Sequence, residues 1–411
     1  MFRKFLGEKI FCGLDIGAAT LKGGIVKMQN SQGHELLAVE ESLTRGFQNS
    51  SISNLSDFAD CIQSAMTSLT KKAGVKLKGL HLGIGGSLVC DRQARAVIPL
   101  LEKGSKVITR HDAKKAMAQA RLLGLKVDEE ALHEFPQQFE IDGVNRASNP
   151  LGLYGRKLEV DLSLIVAHTT HLTNLMKAVN QVGYEVENIF WNTYAATEAS
   201  LTAKMKTDGC VLINMGASAS EVLIFTGGVL RLLCKIPLTG EYVTSRIVQD
   251  IGVTFDVAED MKKSYGVGGS ADEQKNEDLL VKKEDGYLSL KRGTLGQSIE
   301  PVITELVLRI EKAIRGSFYH QLKAGCRMIG GGSLLPGLLE MIERKVNLPV
   351  SMGQIHIQNS VLNNSAIFSA AVGLALLGSQ RDFSYDLMSS NPQGWWRNLS
   401  GRLQELYQEY F

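Results

Sequence analysis

Two apolar runs half a chain apart end in the same kind of turn, and that duplication sharply limits the architectures open to the chain. KIFCGL closes on Asp15-Ile16-Gly17 and GCVLI on Asn214-Met215-Gly216; small residues follow each, Ala18 and Ala19 in the first and Ala217 and Ser218 in the second. An acceptor side chain at a buried strand end, followed by residues without bulk, lets backbone N–H groups approach a phosphate oxygen closely. A third segment, GGGSLLPG over 330–337, follows the apolar strand GCRMI and precedes LLEMIERKV, a helix start where an anion or a purine edge can sit. Together the three predict a nucleotide clamp built from two related halves.

The surrounding pattern supports the duplication. After Asp15 come a returning strand over 20–28, the strand ELLAVEESL and a helix from about Asn54 to Ala73, whose Leu55, Phe58, Ile62, Met66 and Leu69 recur at helical intervals before Gly74. GLHLGIGG, over 79–86, completes an α/β unit. After Asn214, SEVLIF, a Thr226-Gly227-Gly228 turn and VLRLLCKIPL repeat the strand and hairpin. Helices are expected over 240–250, 256–265 and 297–322, with a polar, loop-like stretch over 266–284. Between the halves, from about Ser87 to Ile165, a charged helix near 112–123, HEFPQQFEIDG and NPLGLYG have a different grain and read as an inserted subdomain.

Composition removes several functions. A formal charge of +2 supplies no field for a nucleic-acid partner, and no basic patch is interleaved with aromatics. The six cysteines are scattered singly without a CxxC spacing and read as reduced core thiols of a cytoplasmic protein. No run of eighteen apolar residues suggests a spanning helix, and MFRKFLGEKIF lacks the continuous apolar core of a leader.

Individual residues leave alternatives. Asp15 is either a carboxylate linked to Mg2+ through water or a turn residue capping its own loop. Lys22 on the returning strand, the recurrence at Asn214 and the glycine segment favour the ligand. GGGS is either a plain βα turn or a close approach to a ligand; a triple glycine exceeds what one turn requires. His168 and His171 suggest a metal pair, but no carboxylate or cysteine cluster accompanies them and the structural role is favoured. No nucleophile-and-base pair stands out.

The last residues form a second feature. In GWWRNLSGRLQELYQEYF, Trp395, Leu399, Leu403, Leu406 and Tyr410 follow helical spacing, with Trp396, Tyr407 and Phe411 widening the stripe. The helix either docks on its own domain or, beyond the polar SQRDFSYDLMSSNPQ, lies at the headgroup level of a bilayer. A single such tail is a marginal anchor; many on a polymer would bind firmly.

CGLDIGAATLKGGIV, HEFPQQFEIDG with NPLGLYG, NTYAATEASLT, VLINMGASASEVLIFTGG, DVAEDMKKSYG, MIGGGSLLPGL, NSAIFSAAVGLALLG and the aromatic tail, in that order, resemble the bacterial actin homologue FtsA, a cell-division family of the actin/Hsp70-like ATPase superfamily. The resemblance covers nearly the whole chain. It implies an α/β, actin-like two-lobed fold of duplicated RNase H-like halves, with an FtsA-type inserted subdomain and a C-terminal amphipathic helix. Domain I would comprise residues 1–86 and 169–200, the insert 87–168, domain II 201–378, a linker 379–393 and the membrane-targeting helix 394–411. ATP and Mg2+ are the implied cofactors, and FtsZ, further copies of the chain, other division proteins and the lipid surface the implied partners. The implied location is the cytoplasmic face of the inner membrane at the division site.

Position by position, Asp15, Gly17, Ala18, Ala19 and Lys22 match the first phosphate loop of the family and Asn214, Gly216, Ala217 and Ser218 the second. Glu259 and Lys262 match the nucleoside-contacting helix, and Gly330, Gly331, Gly332 and Ser333 the adenosine loop. Asn214 departs from the aspartate usual in actin-like ATPases, and GASAS departs from their glycine-rich continuation. An amide orients a water but cannot accept its proton, so Asp15 and a weak Asn214 predict nucleotide binding with slow or undetectable hydrolysis. A pilus-assembly homologue of the PilM type and a small-molecule kinase of the same superfamily are the alternatives. The aromatic tail argues against both.

Overall fold

A computed structural model describes residues 9–29, 33–48, 50–100, 105–266, 277–283, 286–357 and 365–380. Most of the polar stretch 266–284, most of the linker expected over 379–393 and all of the helix expected over 394–411, with Trp395, Trp396, Leu399, Leu403, Leu406, Tyr407, Tyr410 and Phe411, lie outside the described residues.

The first half opens with β1 (Lys9–Ile16), β2 (Thr20–Gln29) and β3 (Gly33–Leu43), an antiparallel meander. Helix α1 (Leu55–Ala73) starts where Asn54 accepts hydrogen bonds from the Ser56 and Asp57 N–H groups and ends on left-handed Gly74, as its composition predicts. Its apolar face, including Phe58, Ile62, Met66 and Leu69, is buried on the sheet. β4 (Gly79–Ile84) then pairs parallel with β1.

At this point the chain leaves the sheet. β5 (Val89–Pro99), α2 (Arg110–Gly124), β6 (Glu129–Ile141), β7 (Asn145–Ala147) and β8 (Lys157–His168) build a separate antiparallel sheet in the order β7–β6–β8–β5. α2 packs against it over its own core of Ala94, Ile98, Ala113, Met117, Phe139 and Leu162. The chain then returns through α3 (Thr169–Gln181), β9 (Glu185–Trp191) and α4 (Asn192–Ser200), giving the first sheet the order β9–β4–β1–β2–β3. His168 caps α3, accepting from Thr170 N–H at 3.4 Å, and lies 2.8 Å from Asp128.

The second half repeats the plan. β10 (Cys210–Met215), β11 (Ser220–Thr226) and β12 (Val229–Ile236) form the meander. After α5 (Gly240–Ile251), α6 (Phe255–Tyr265) and α7 (Arg292–Ile314) come β13 (Cys326–Ile329), α8 (Leu338–Val346), β14 (Val350–Met352) and α9 (Ser369–Ser379). Its sheet runs β12–β11–β10–β13–β14, the same order strand for strand. The second half passes from β13 to α8 without a sheet between them, so the inserted sheet occupies the corresponding crossover of the first half.

Two expectations change. The helix expected over 297–322 runs from Arg292 to Ile314. The hairpin Asp278–Lys283/Gly286–Lys291 delivers the chain directly into its first turn, while Gly316 and a short 3-10 turn at Tyr319–Gln321 end it early. Four of the six cysteines are core residues, but Cys90 is exposed on a strand face that leaves the core, and Cys234 is half-buried where edge strand β12 packs against the second core. Burial pushes the Cys12 and Cys326 thiols up to about 12, so both stay protonated.

α9 returns to the first half, packing on β1, β2 and β4, and crosses α4 there. Both helices are rich in alanine, and a Cβ on Gly373 would fall 1.8 Å from the Ala195 carbonyl oxygen. The backbones therefore touch at that point, which places the start of α4 between the two sheets.

Candidate functional site

The ends of β1 and β10 face one another across a cavity of about 450 Å³. Asp15, Gly17, Ala18, Ala19 and Lys22 line it from one side and Asn214, Gly216, Ala217 and Ser218 from the other; Glu259, Lys262, Gly330, Gly331 and Gly332 line it as well. All but one of the loop and cleft residues singled out from sequence thus come together. The exception is Ser333, which is buried and donates its hydroxyl to the Gly330 carbonyl at 2.7 Å instead of lining the cavity.

Asp15 is 7% exposed and accepts from Asn192 Nδ2 at 2.9 Å. Burial raises its carboxyl above the ordinary range, while Lys22 and the Asn192 hydrogen bond pull it down. Lys22 sits directly opposite on β2, donating to Thr20 Oγ1 at 2.5 Å. Asn192 begins α4, so the helix start that bonds Asp15 through Asn192 and Asn214 through Thr193 also fixes the carboxylate.

The second loop is arranged differently. Asn214 Nδ2 donates to Thr193 Oγ1 at 2.7 Å, and the Thr193 hydroxyl donates to Glu221 Oε2. Glu221 stands opposite Asn214 on β11 at the spacing by which Lys22 follows Asp15, so the two halves carry an acidic and a basic residue at equivalent positions. Burial raises the Glu221 carboxyl, against hydrogen bonds from Thr193 and the more distant Lys235 charge. Trp191 and Asn214 also favour its ionised form, and its side chain lines the cavity. Asn214 then has a physical reason: beside a buried carboxyl, an amide supplies a donor where a second carboxylate would add like charge. Gly216 N–H is spent within the turn, donating to the Ala219 carbonyl at 2.7 Å.

Lys262 on α6 is buried and donates to Glu259 at 2.6 Å, Thr244 at 2.8 Å and the Gly240 carbonyl at 3.0 Å. Burial lowers its ammonium and Glu259 opposes that; burial also works against Glu259 ionising, but the Lys262 and Thr244 hydrogen bonds keep its carboxyl below the ordinary range. Val243, Ile303, Leu306, Leu334, Leu335 and Ile367 add apolar surface to the cavity lining.

The glycine triplet needs a revised explanation. A Cβ on Gly330 would meet the Met215 carbonyl at 2.4 Å, and one on Gly332 the Met215 Cβ at 2.8 Å, so both allow the triplet to press on the second loop. Gly331 alone has open space around it. Packing between loops, more than contact with a ligand, accounts for two of the three.

Sequence reasoning missed Asn192, Thr193, Glu221 and Glu41, and it quoted Gly85 and Gly86 without assigning them to the site. All but Thr193 line the cavity. Glu221 was recoverable from its repeated spacing. Among the described residues no group of three or more His, Cys, Asp or Glu is placed to hold a metal, and none of the helices could cross a membrane.

A family model described as cell division protein FtsA matches residues 211–373, and one for the SHS2 domain inserted in FtsA matches residues 88–166, the segment that forms the separate sheet. The cell division protein FtsA of Escherichia coli strain K12 is 26% identical over 395 residues, covering 92% of both chains. That of Buchnera aphidicola is 24% identical over 398 residues, covering 93% of this chain and 94% of its own. Among solved structures, a PilM–PilN type IV pilus biogenesis complex superposes with a TM-score of 0.62 at 16% identity, over 90% of this chain and 98% of that one. MreB5 of Spiroplasma citri bound to ADP gives 0.52 at 10%, over 90% and 96%. Identities this low bear on the fold alone, which is actin-like. With two FtsA models covering more than half of its length and relatives of that name aligned along nearly all of it, the chain belongs to the FtsA family of cell-division proteins.

Proposed function

We propose that this chain is a nucleotide-controlled division scaffold that binds ATP with Mg2+ between its halves, self-associates, and ties the FtsZ ring to the cytoplasmic face of the membrane through residues 394–411. The observation that carries the reading is the convergence of the Asp15 and Asn214 strand ends and the Gly330 turn on one cavity that polar loop residues and aliphatic side chains line together. The residues fit a nucleoside triphosphate. Loop N–H groups at Ala18, Ala19, Ala217 and Ser218 and the Lys22 ammonium suit phosphate oxygens, and the aliphatic wall suits a base. Asp15 would hold a hydrated Mg2+, which keeps its waters and needs few protein ligands. The ion would supply charge neutralisation at the phosphates.

Asn214, held by Thr193, can orient a water without taking its proton, and burial raises the carboxyl of Glu221 beside it, which works against its ionised, proton-accepting form. Both features favour slow turnover, which suits a scaffold that reads the nucleotide more than it consumes it. Weak lipid contacts of the aromatic tail would add along an assembly, so attachment would follow polymer length. Other division proteins would meet the assembled form. Co-sedimentation with liposomes of the full chain and of a version ending at Gln393, each with and without MgATP, tests the proposal. Pelleting of the full chain alone, strengthened by MgATP, is expected; equal pelleting of both forms would remove the membrane role.

A further inference from the structure

Asp15, Lys22 and Glu41 stand in one row across β1, β2 and β3, each directly opposite the next. Opposed residues of antiparallel strands share a face, and all three side chains line the cavity. Lys22 Nζ lies 3.4 Å from a Glu41 carboxylate oxygen, so the ammonium suited to a phosphate is already engaged. We propose that Glu41 is a positioning residue that holds Lys22 in reserve, so that an incoming phosphate must draw the ammonium away from this carboxylate. The proposal rests on the nucleotide reading of the cleft.

The geometry makes the exchange inexpensive. The Lys22 side chain is 13% exposed and that of Glu41 39%, so the carboxylate sits at the rim and regains water when the lysine departs. Asp15 also feels the Lys22 charge, but burial works against its ionised form and it already accepts from Asn192. The pairing is also not a by-product of strand register. The equivalent row of the second half is Asn214, Glu221 and Lys235, and there the lysine turns away to donate to the carbonyls of Gly86 at 3.1 Å and Val89 at 2.6 Å. Before the exchange the first row carries two carboxyls against one ammonium, which opposes a polyphosphate. Afterwards Lys22 faces the ligand, and Glu41 is left in water.

The test is isothermal titration of MgATP into the full chain as wild type, Glu41→Gln, Lys22→Met and the double variant, with Glu41→Ala as a second removal of the carboxylate should Gln disturb β3. A partly exposed pair implies that Glu41→Gln lowers the dissociation constant about two- to five-fold. Lys22→Met should weaken binding, and Glu41→Gln should then change little in the Lys22→Met background. Binding by Glu41→Gln and Glu41→Ala no tighter than wild type would overturn the proposal. Equal tightening with and without Lys22 would also overturn it, because the effect would then be one of field and not of exchange. No heat from any variant, wild type included, would instead overturn the nucleotide reading and this proposal with it.

Discussion

Asn214→Asp restores the residue usual in actin-like ATPases, and the structure predicts that it costs stability. The amide donates to Thr193 at 2.7 Å, and the Thr193 hydroxyl passes its one proton to Glu221. An aspartate offers no donor, so two carboxylates would compete for that proton at a buried site; a lost hydrogen bond to such groups costs about 1–3 kcal/mol. Residues 214 and 221 are directly opposed on β10 and β11, where side chains lie roughly 5 Å apart. Where both carboxyls ionise, repulsion at that separation adds about 3 kcal/mol at an effective dielectric near 20. At the usual unfolding entropy per residue each kcal/mol moves the melting point of a 411-residue chain by about 1 °C, so the two costs together should lower it by roughly 4–7 °C. The penalty should be larger at high pH than at low pH, because protonating one of the pair relieves the repulsion, and MgATP should recover part of it. Calorimetric melts at both pH values, with and without MgATP, measure this. A variant that melts with the wild type at both would refute the hydrogen-bond reading of Asn214.

Thr193→Val keeps the volume of a fully buried side chain but strands Asn214 and Glu221, so it should cost about 1–3 kcal/mol, visible as a lower denaturation midpoint; no change would mean that water replaces the hydroxyl. Gly373→Ala would drive a Cβ to 1.8 Å from the Ala195 carbonyl and force α4 from α9, so it should destabilise by about 1–3 kcal/mol and weaken nucleotide binding through Asn192, outcomes that melts and titration check. Burial raises the carboxyls of Asp15 and Glu221, so the folded chain holds their protons more tightly than the unfolded one. Without ligand, their contribution to stability therefore falls as pH rises from the ordinary carboxylate range, near 4, towards the raised values, and Glu221→Gln should flatten that slope in denaturant midpoints taken across pH. An unaltered slope would place the titration elsewhere.

The parts of the site legible in the sequence are those set by local chemistry. A strand end, an acceptor and a small-residue turn sit next to one another in the chain at Asp15 and at Asn214, and helix α1 announces its own ends with Asn54 and Gly74. The unread parts depend on pairings between distant strands. Glu41 reaches Lys22 only through the β2–β3 register, and Thr193 meets Glu221 only because α4 starts between the sheets. Gly330 and Gly332 were visible as unusual, but their reason, contact with Met215, belongs to the folded loops. The early end of α7 reflects Gly316 overriding a helical apolar pattern.

The central claim, that the cleft between the two half-sheets takes a magnesium-bound nucleoside triphosphate, is tested most directly by titrating MgATP into the full wild-type chain and into Asp15→Ala, with circular dichroism to establish that both are folded. The account predicts saturable binding of one nucleotide per wild-type chain and its loss in Asp15→Ala. Absence of heat from the folded wild type at millimolar nucleotide, or equal binding by the two proteins, would contradict it.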